Sequence, residues 1–180
     1  MNKPLLSLTA AAGMVVALAS PAAAAPTADT IVTFTVATAN LEIFAPPAVN
    51  LGSTFAGSSI TGLIGPVQVV DQRAALVANW VATVSATAFI SGGGTPEETI
   101  TPNLIEYWSG PATATTGTGT FVPGQLTAAQ AVTLSVPHTA FSKTSGSGNN
   151  SATWNPTLHV FVPATAVGGT YSATITHSVA

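Results

Sequence analysis

Apolar and polar residues alternate with a period of two along most of this chain. The clearest run is at the C-terminus, where Ser and Thr separate five residues of the opposite face: Tyr171, Ala173, Ile175, His177 and Val179. Successive side chains of a strand point to opposite faces, so this pattern predicts half-buried β-strands. No comparable stretch has the period of an amphipathic helix, and the chain therefore indicates an all-β protein.

The same alternation predicts further strands at residues 32–36, 41–43, 67–69, 80–86, 105–107, 132–136 and 154–162. We expect the last of these and the C-terminal run to form an antiparallel hairpin around a loop that ends in Gly168-Gly169. Pro156 cannot donate a ladder hydrogen bond, so its strand starts there, bulges there or lies at an edge. About eight or nine short strands predict a single antiparallel β-sandwich of immunoglobulin-like type.

The first 24 residues have the pattern of a secretory signal peptide. Lys3 supplies the positive start, an apolar stretch extends from Leu5 to Leu18, and small residues follow as far as Ala25. We expect cleavage after Ala24, which leaves residues 25–180 as one exported domain. The apolar stretch is too short for a membrane-spanning helix, and no later segment approaches the roughly 18 residues that such a helix needs.

Charge is scarce, and this limits the possible partners. Charged residues make up 5% of the chain, and after the leader only Arg73 and Lys143 are basic, beside six acidic residues. In ordinary globular domains about 25% of the residues are charged. Two cations and a slight acidic excess exclude nucleic acid, which is bound by neutralising phosphates. They also argue against electrostatic docking on anionic lipid, and the lack of a sufficiently long apolar segment argues against insertion into a membrane.

The sequence predicts no catalytic site, no metal site and no cofactor. No G-x-S-x-G elbow is present, and His138, His159 and His177 lie in or beside strand-like alternation, which indicates polar positions on half-exposed strands. The only acidic pair, Glu97-Glu98, follows a glycine run and is interpreted as a solvated loop rather than a calcium site. We therefore expect a non-enzymatic protein; an exported enzyme whose site the sequence does not reveal is a further alternative.

Two local features stand out. Asp71 and Arg73 are close together at the end of a predicted strand, and we expect them to pair or to cap loop backbone, with a binding role for Arg73 as the alternative. Tyr107 and Trp108 are consecutive in another predicted strand and cannot both point inward. We expect Trp108 to be the exposed one, where it could stack on a sugar ring.

Four segments together resemble a known family: VQVVDQR at 67–73, NWVATV at 79–84, SATWNPTLHVFVP at 151–163 and GTYSATITHS at 169–178. They are similar to the WxL-type cell-surface domains of Gram-positive bacteria, in the looser form of actinobacterial secreted proteins. In that family a strand ending in D-x-R precedes a Trp-bearing strand, and a Thr-rich hairpin closes the domain. The matching positions here are Asp71, Arg73, Trp80 and Trp154. The W-x-L tripeptide does not occur, and Ala74 stands where the family often has Gly.

The resemblance implies non-covalent attachment to peptidoglycan. It leads us to expect a secreted, wall-associated surface protein whose hydroxyl-rich face binds a wall polymer, with Tyr107 and Trp108 as candidate contacts. The partner would be that polymer or other surface proteins. The alternation itself favours structural roles for the four matching positions. The alternative is a subunit that self-assembles by edge pairing into a surface layer or fibre, because few charges protect its strand edges.

Overall fold

A computed structural model of the chain describes residues 29–180. The predicted signal peptide, residues 1–24, lies outside the described residues. Residues 35–180 group into one compact unit, and residues 29–34, the other described residues, do not belong to it.

Short strands joined by Gly- and Pro-containing turns make up the described residues. Fourteen strands occur there: β1 (Leu41–Phe44), β2 (Ser59–Leu63), β3 (Val67–Asp71), β4 (Trp80–Ala86), β5 (Phe89–Ile90), β6 (Thr99–Ile100), β7 (Ile105–Trp108), β8 (Ala112–Thr116), β9 (Phe121–Pro123), β10 (Val132–Thr133), β11 (His138–Lys143), β12 (Asn150–Trp154), β13 (Thr157–Phe161) and β14 (Ile175–Val179). Helix is limited to single 3₁₀ turns at Pro96–Glu98, Pro102–Leu104 and Ala128–Gln130.

The strands form four antiparallel sheets. Sheet A has the order β1-β3-β12-β8, sheet B has β10-β7-β13-β2, sheet C has β14-β4-β11-β9, and β5 pairs with β6. The all-β prediction is confirmed, but a single sandwich of eight or nine strands is wrong. The number of strands is higher because the run at residues 154–162 is divided between β12 and β13, and because six strands lie outside the predicted runs: β2, β5, β6, β8, β9 and β11.

Sheets A and B are connected by three strands that break at the same level. β2 leads into β3 through Gly65-Pro66, β7 into β8 through Gly110-Pro111, and β12 into β13 through Asn155-Pro156. Each break contains a proline, which cannot donate a ladder hydrogen bond. The glycines at the first two breaks have positive φ angles of 98° and 68°, which bend the chain locally. We call this level the proline bend.

Buried residues of sheets A, B and C together form the core. Trp154 on β12 stacks on Phe141 of β11 with ring centroids 4.9 Å apart, and the indole Nε1 of Trp80 on β4 donates to Asn150 Oδ1 at 2.8 Å. Both tryptophans are buried, as the alternation predicts. Alternate residues of β3 and β12 are also buried, so the two-residue period of the sequence is the period of core packing.

Two predicted elements are absent from the described residues. Residues 32–36 form no strand, because no neighbouring strand pairs with them. The predicted C-terminal hairpin is wrong, since β14 pairs with β4, and β13 is already paired on both sides by β2 and β7. In the C-terminal run the alternation matches the burial pattern and only the partner strand differs, whereas residues 32–36 are exposed on both sides.

Candidate functional site

The outer face of sheet B is the candidate site, and strand alternation creates it. Buried residues of β7 and β13 point to the core, and the intervening residues point outward. The cross-strand register pairs Thr157 with Trp108 and His159 with Glu106, so these four side chains share the outer face. Phe161, two residues beyond His159, extends the same row. The adjoining strand β2 adds three exposed residues to this face: Ser59, Thr61 and Leu63.

Tyr107 and Trp108 have opposite environments. Trp108 is half-buried on the outer face, whereas Tyr107 is fully buried. The Tyr107 oxygen accepts a hydrogen bond from Trp154 Nε1 at 3.3 Å and lies 3.3 Å from His177 Nε2. Burial raises the pKa of Tyr107 well above its ordinary value, and the Trp154 bond offsets only part of that rise. Trp108 therefore offers surface to a ligand, and Tyr107 packs the interior behind it.

Glu106, His159 and Phe161 form a contact cluster beside Trp108. His159 Nδ1 lies 3.2 Å from Glu106 Oε2, and the His159 and Phe161 rings are 4.3 Å apart between centroids. The cluster combines a carboxylate acceptor, an imidazole with a second nitrogen, and an aromatic ring on one sheet face. The Thr61 and Thr157 hydroxyls border it. This set can hydrogen-bond hydroxyl groups and pack against an apolar ring face.

Asp71 and Arg73 make a paired network at the end of β3. Arg73 donates through Nε to Asp71 Oδ1 at 2.9 Å, through Nη2 to Oδ2 at 3.0 Å, and through its backbone N–H to Oδ1 at 3.1 Å. Asn150 Nδ2 adds a fourth bond at 3.1 Å. Burial raises the pKa of Asp71, but the bonds from Arg73 and Asn150 outweigh it and hold the pKa below its ordinary range. With Asp71 fully buried, the network joins β3 to β12.

Ala74, next to this network, has a positive φ of 50°. Among the described residues it is the only residue other than glycine with a positive φ. Its backbone N–H donates to Asn149 Oδ1 at 3.0 Å, which holds the turn in place. The left-handed region favours glycine, so a glycine at this position would adopt the same conformation without strain.

Lys143 is a buried cation that sequence reasoning missed. It ends β11, and its Nζ donates to the carbonyl oxygens of Ala78 at 3.0 Å and Ser145 at 2.7 Å. Burial lowers the pKa of Lys143; the Asp71 charge opposes this effect and the Arg73 charge adds to it. The spacing of the residues could have predicted this burial, because residues two apart on a strand share a face and Lys143 follows the core residue Phe141 by two positions.

The acidic pair Glu97-Glu98 serves local structure. Glu98 Oε2 accepts hydrogen bonds from the backbone N–H groups of Gly93 and Thr95, both at 3.1 Å. The bond from Thr95 is the main reason that the pKa of Glu98 is lowered. Across residues 29–180, no group of three or more His, Asp or Glu side chains is placed to hold a metal ion. No helix in that range is long and apolar enough to cross a membrane.

Comparison of the chain with known protein families, with curated proteins and with solved structures gives no match. The site must therefore be interpreted from its own geometry. That geometry is a sheet face with one half-buried indole, one carboxylate paired with an imidazole, and several hydroxyls.

Proposed function

We propose that this protein is a secreted, non-enzymatic surface protein that binds a neutral cell-wall polymer, peptidoglycan or another glycan, through the outer face of sheet B. The observation that carries the proposal is the alignment of Trp108 with the Glu106–His159 pair on adjacent paired strands. A sugar ring has an apolar face and hydroxyl edges, and an indole beside a carboxylate and an imidazole complements both.

The charge of the chain supports a neutral ligand. Its formal net charge is −3 over 180 residues, and the cations Arg73 and Lys143 are both engaged within the fold. Long-range attraction to a charged polymer is therefore weak, and binding depends on short-range contacts. Such binding should vary little with ionic strength, unlike binding between exposed opposite charges.

The test is co-sedimentation of the purified chain from Ala25 onward with insoluble peptidoglycan, beside a tube without wall material. At a dilution at which the tube without wall material shows no self-association, we expect the protein to pellet only with the wall. Trp108→Ala should weaken retention about tenfold, the equivalent of one aromatic stacking contact. Glu106→Gln, which keeps the shape but removes the charge, should weaken it less.

The matched control is Phe55→Ala, which removes an exposed aromatic ring from the loop after β1 instead of from sheet B. It should pellet like the unmodified protein. Full retention of a folded Trp108→Ala variant would contradict the assigned face, and protein that stays soluble with the wall would refute wall binding. Urea unfolding of each variant separates lost contact from lost fold.

A second candidate function is self-assembly by edge pairing, and strand β8 favours it. All five of its residues (Ala112–Thr116) are exposed, and none is charged or proline. An edge strand of this kind lacks the usual protection against pairing with another chain. Pelleting without wall material, abolished by Ala114→Lys, would support this function.

A further inference from the structure

Residues 31–36 have the pattern of a strand without being one. Val32, Phe34 and Val36 alternate with threonines, and their side chains are 82%, 88% and 67% exposed. No charged residue occurs between Thr30 and Leu41. A soluble protein seldom leaves so regular an apolar set in water unless another surface covers it.

A cleft of about 830 Å³ opens between the loop at residues 45–56 and the segment at residues 166–175. Its floor includes Ile60 of β2 and Leu158 and Val160 of β13, and His177 of β14 borders it. No Asp, Glu, Lys or Arg of the described residues lines it. The volume lies within the roughly 300–1,000 Å³ of functional pockets, and the walls are as uncharged as residues 31–36.

One wall of the cleft, the loop at residues 45–56, also leaves backbone groups free. Among the described residues, no backbone–backbone hydrogen bond reaches residues 45–54, and Gly52 bonds only to the Asn50 side chain. Residues 31–36 likewise have none. An added strand needs main-chain partners and an apolar surface for alternate side chains; the wall at residues 45–54 supplies the first and the floor supplies the second.

We propose that residues 31–36 of one copy insert as a strand into this cleft of a second copy, with Val32, Phe34 and Val36 directed to the apolar floor. Insertion would pair free backbone groups and remove three apolar side chains from water. Each copy has one such segment and one cleft. The contact is therefore head-to-tail and extends into filaments unless it closes into a ring.

The start of β1 favours a second copy over the chain's own cleft. Ala39 N–H donates to Gln72 O at 2.8 Å, which continues the β1–β3 ladder back from Leu41. The loop at residues 45–56 begins at the opposite end of β1. To enter its own cleft, the chain would have to reverse direction before Ala39, whereas insertion into a neighbour requires no reversal.

The test is sedimentation velocity of the chain from Ala25 onward over a wide concentration range, without wall material. We expect the mass to grow with concentration, and Phe34→Asp to abolish this growth. Leu76→Asp is the matched control, since Leu76 is also 88% exposed but lies outside both the segment and the cleft. It should assemble like the unmodified protein.

A complementation arm tests the head-to-tail geometry. Val167 borders the cleft and is partly exposed, so Val167→Asp should block the cleft and leave the segment intact. Neither Phe34→Asp nor Val167→Asp should assemble alone, but a mixture should form one-to-one dimers that cannot extend.

A monomeric unmodified chain, or assembly by Phe34→Asp, would overturn the proposal. Ala114→Lys should assemble normally; its loss of assembly would assign the contact to β8 instead. These outcomes are independent of wall binding by Trp108.

Discussion

His177 should make the stability of the fold depend on pH in one defined window. Its ring lies on β14, with Nε2 3.3 Å from the Tyr107 oxygen and the Trp154 ring 6.4 Å away between centroids. The Tyr107 hydroxyl accepts from Trp154 and can donate its own hydrogen to Nε2 when that nitrogen carries no proton. Burial lowers the pKa of His177 from 6.5 to about 4.

The sign follows from the two protonation states. Above pH 6.5 the imidazole is neutral in both the folded and the unfolded chain, and the full stability is present. Between pH 6.5 and about 4 the unfolded chain binds a proton that the folded chain does not, so the free energy of unfolding falls as the pH is lowered. Below pH 4 both states bind the proton and the loss stops. The total loss is about 3 kcal/mol.

The assay is urea unfolding of the unmodified protein and of His177→Gln across this pH range. Gln carries no titrating group, and every other group titrates in both proteins, so the difference between the two curves isolates His177. Between pH 6.5 and about 4, the free energy of unfolding of the unmodified protein should fall by about 3 kcal/mol more than that of the variant. Parallel curves would refute the argument, because His177 would then titrate equally in both states.

Two further predictions concern the Asp71 network. Arg73→Ala leaves a buried carboxylate without its main partner and should cost about 2 kcal/mol in urea unfolding, less than for a fully buried pair because Arg73 is partly exposed. Wall retention of this variant should be unchanged; lost retention with unchanged unfolding would assign Arg73 to binding. Ala74→Gly should raise the unfolding free energy by up to about 1 kcal/mol, since glycine adopts the positive φ without strain, and a destabilised variant would contradict that reasoning.

Side-chain alternation was a sound guide to which residues are buried. It located β1, β3, β4 and β7, and it assigned Trp80 and Trp154 to the interior, because the two-residue period is a local property of an extended chain. It also predicted correctly that Trp108 is more exposed than Tyr107, since neighbours in a strand must face opposite sides.

The alternation could not predict which strands pair with each other. The partner of a strand is chosen by packing between distant parts of the chain, so β14 pairs with β4, more than 80 positions away, instead of with its neighbour β13. Residues 32–36 show the converse, a strand pattern with no partner strand among residues 29–180. The His159–Glu106 pair was missed for the same reason, as the two residues meet only through the β7–β13 register.

The proline bend also affects how the chain could change in evolution. A single-residue insertion in an ordinary strand exchanges the two faces along its whole length. Here the ladder is already interrupted beside Pro66, Pro111 and Pro156, so an insertion in β13 would exchange the faces of β13 and leave β12 in register with β3. Leu158 and Val160 would then leave the core, but the buried residues of β3 and β12 would keep their places, so the proline bend confines the damage of such an insertion to sheet B.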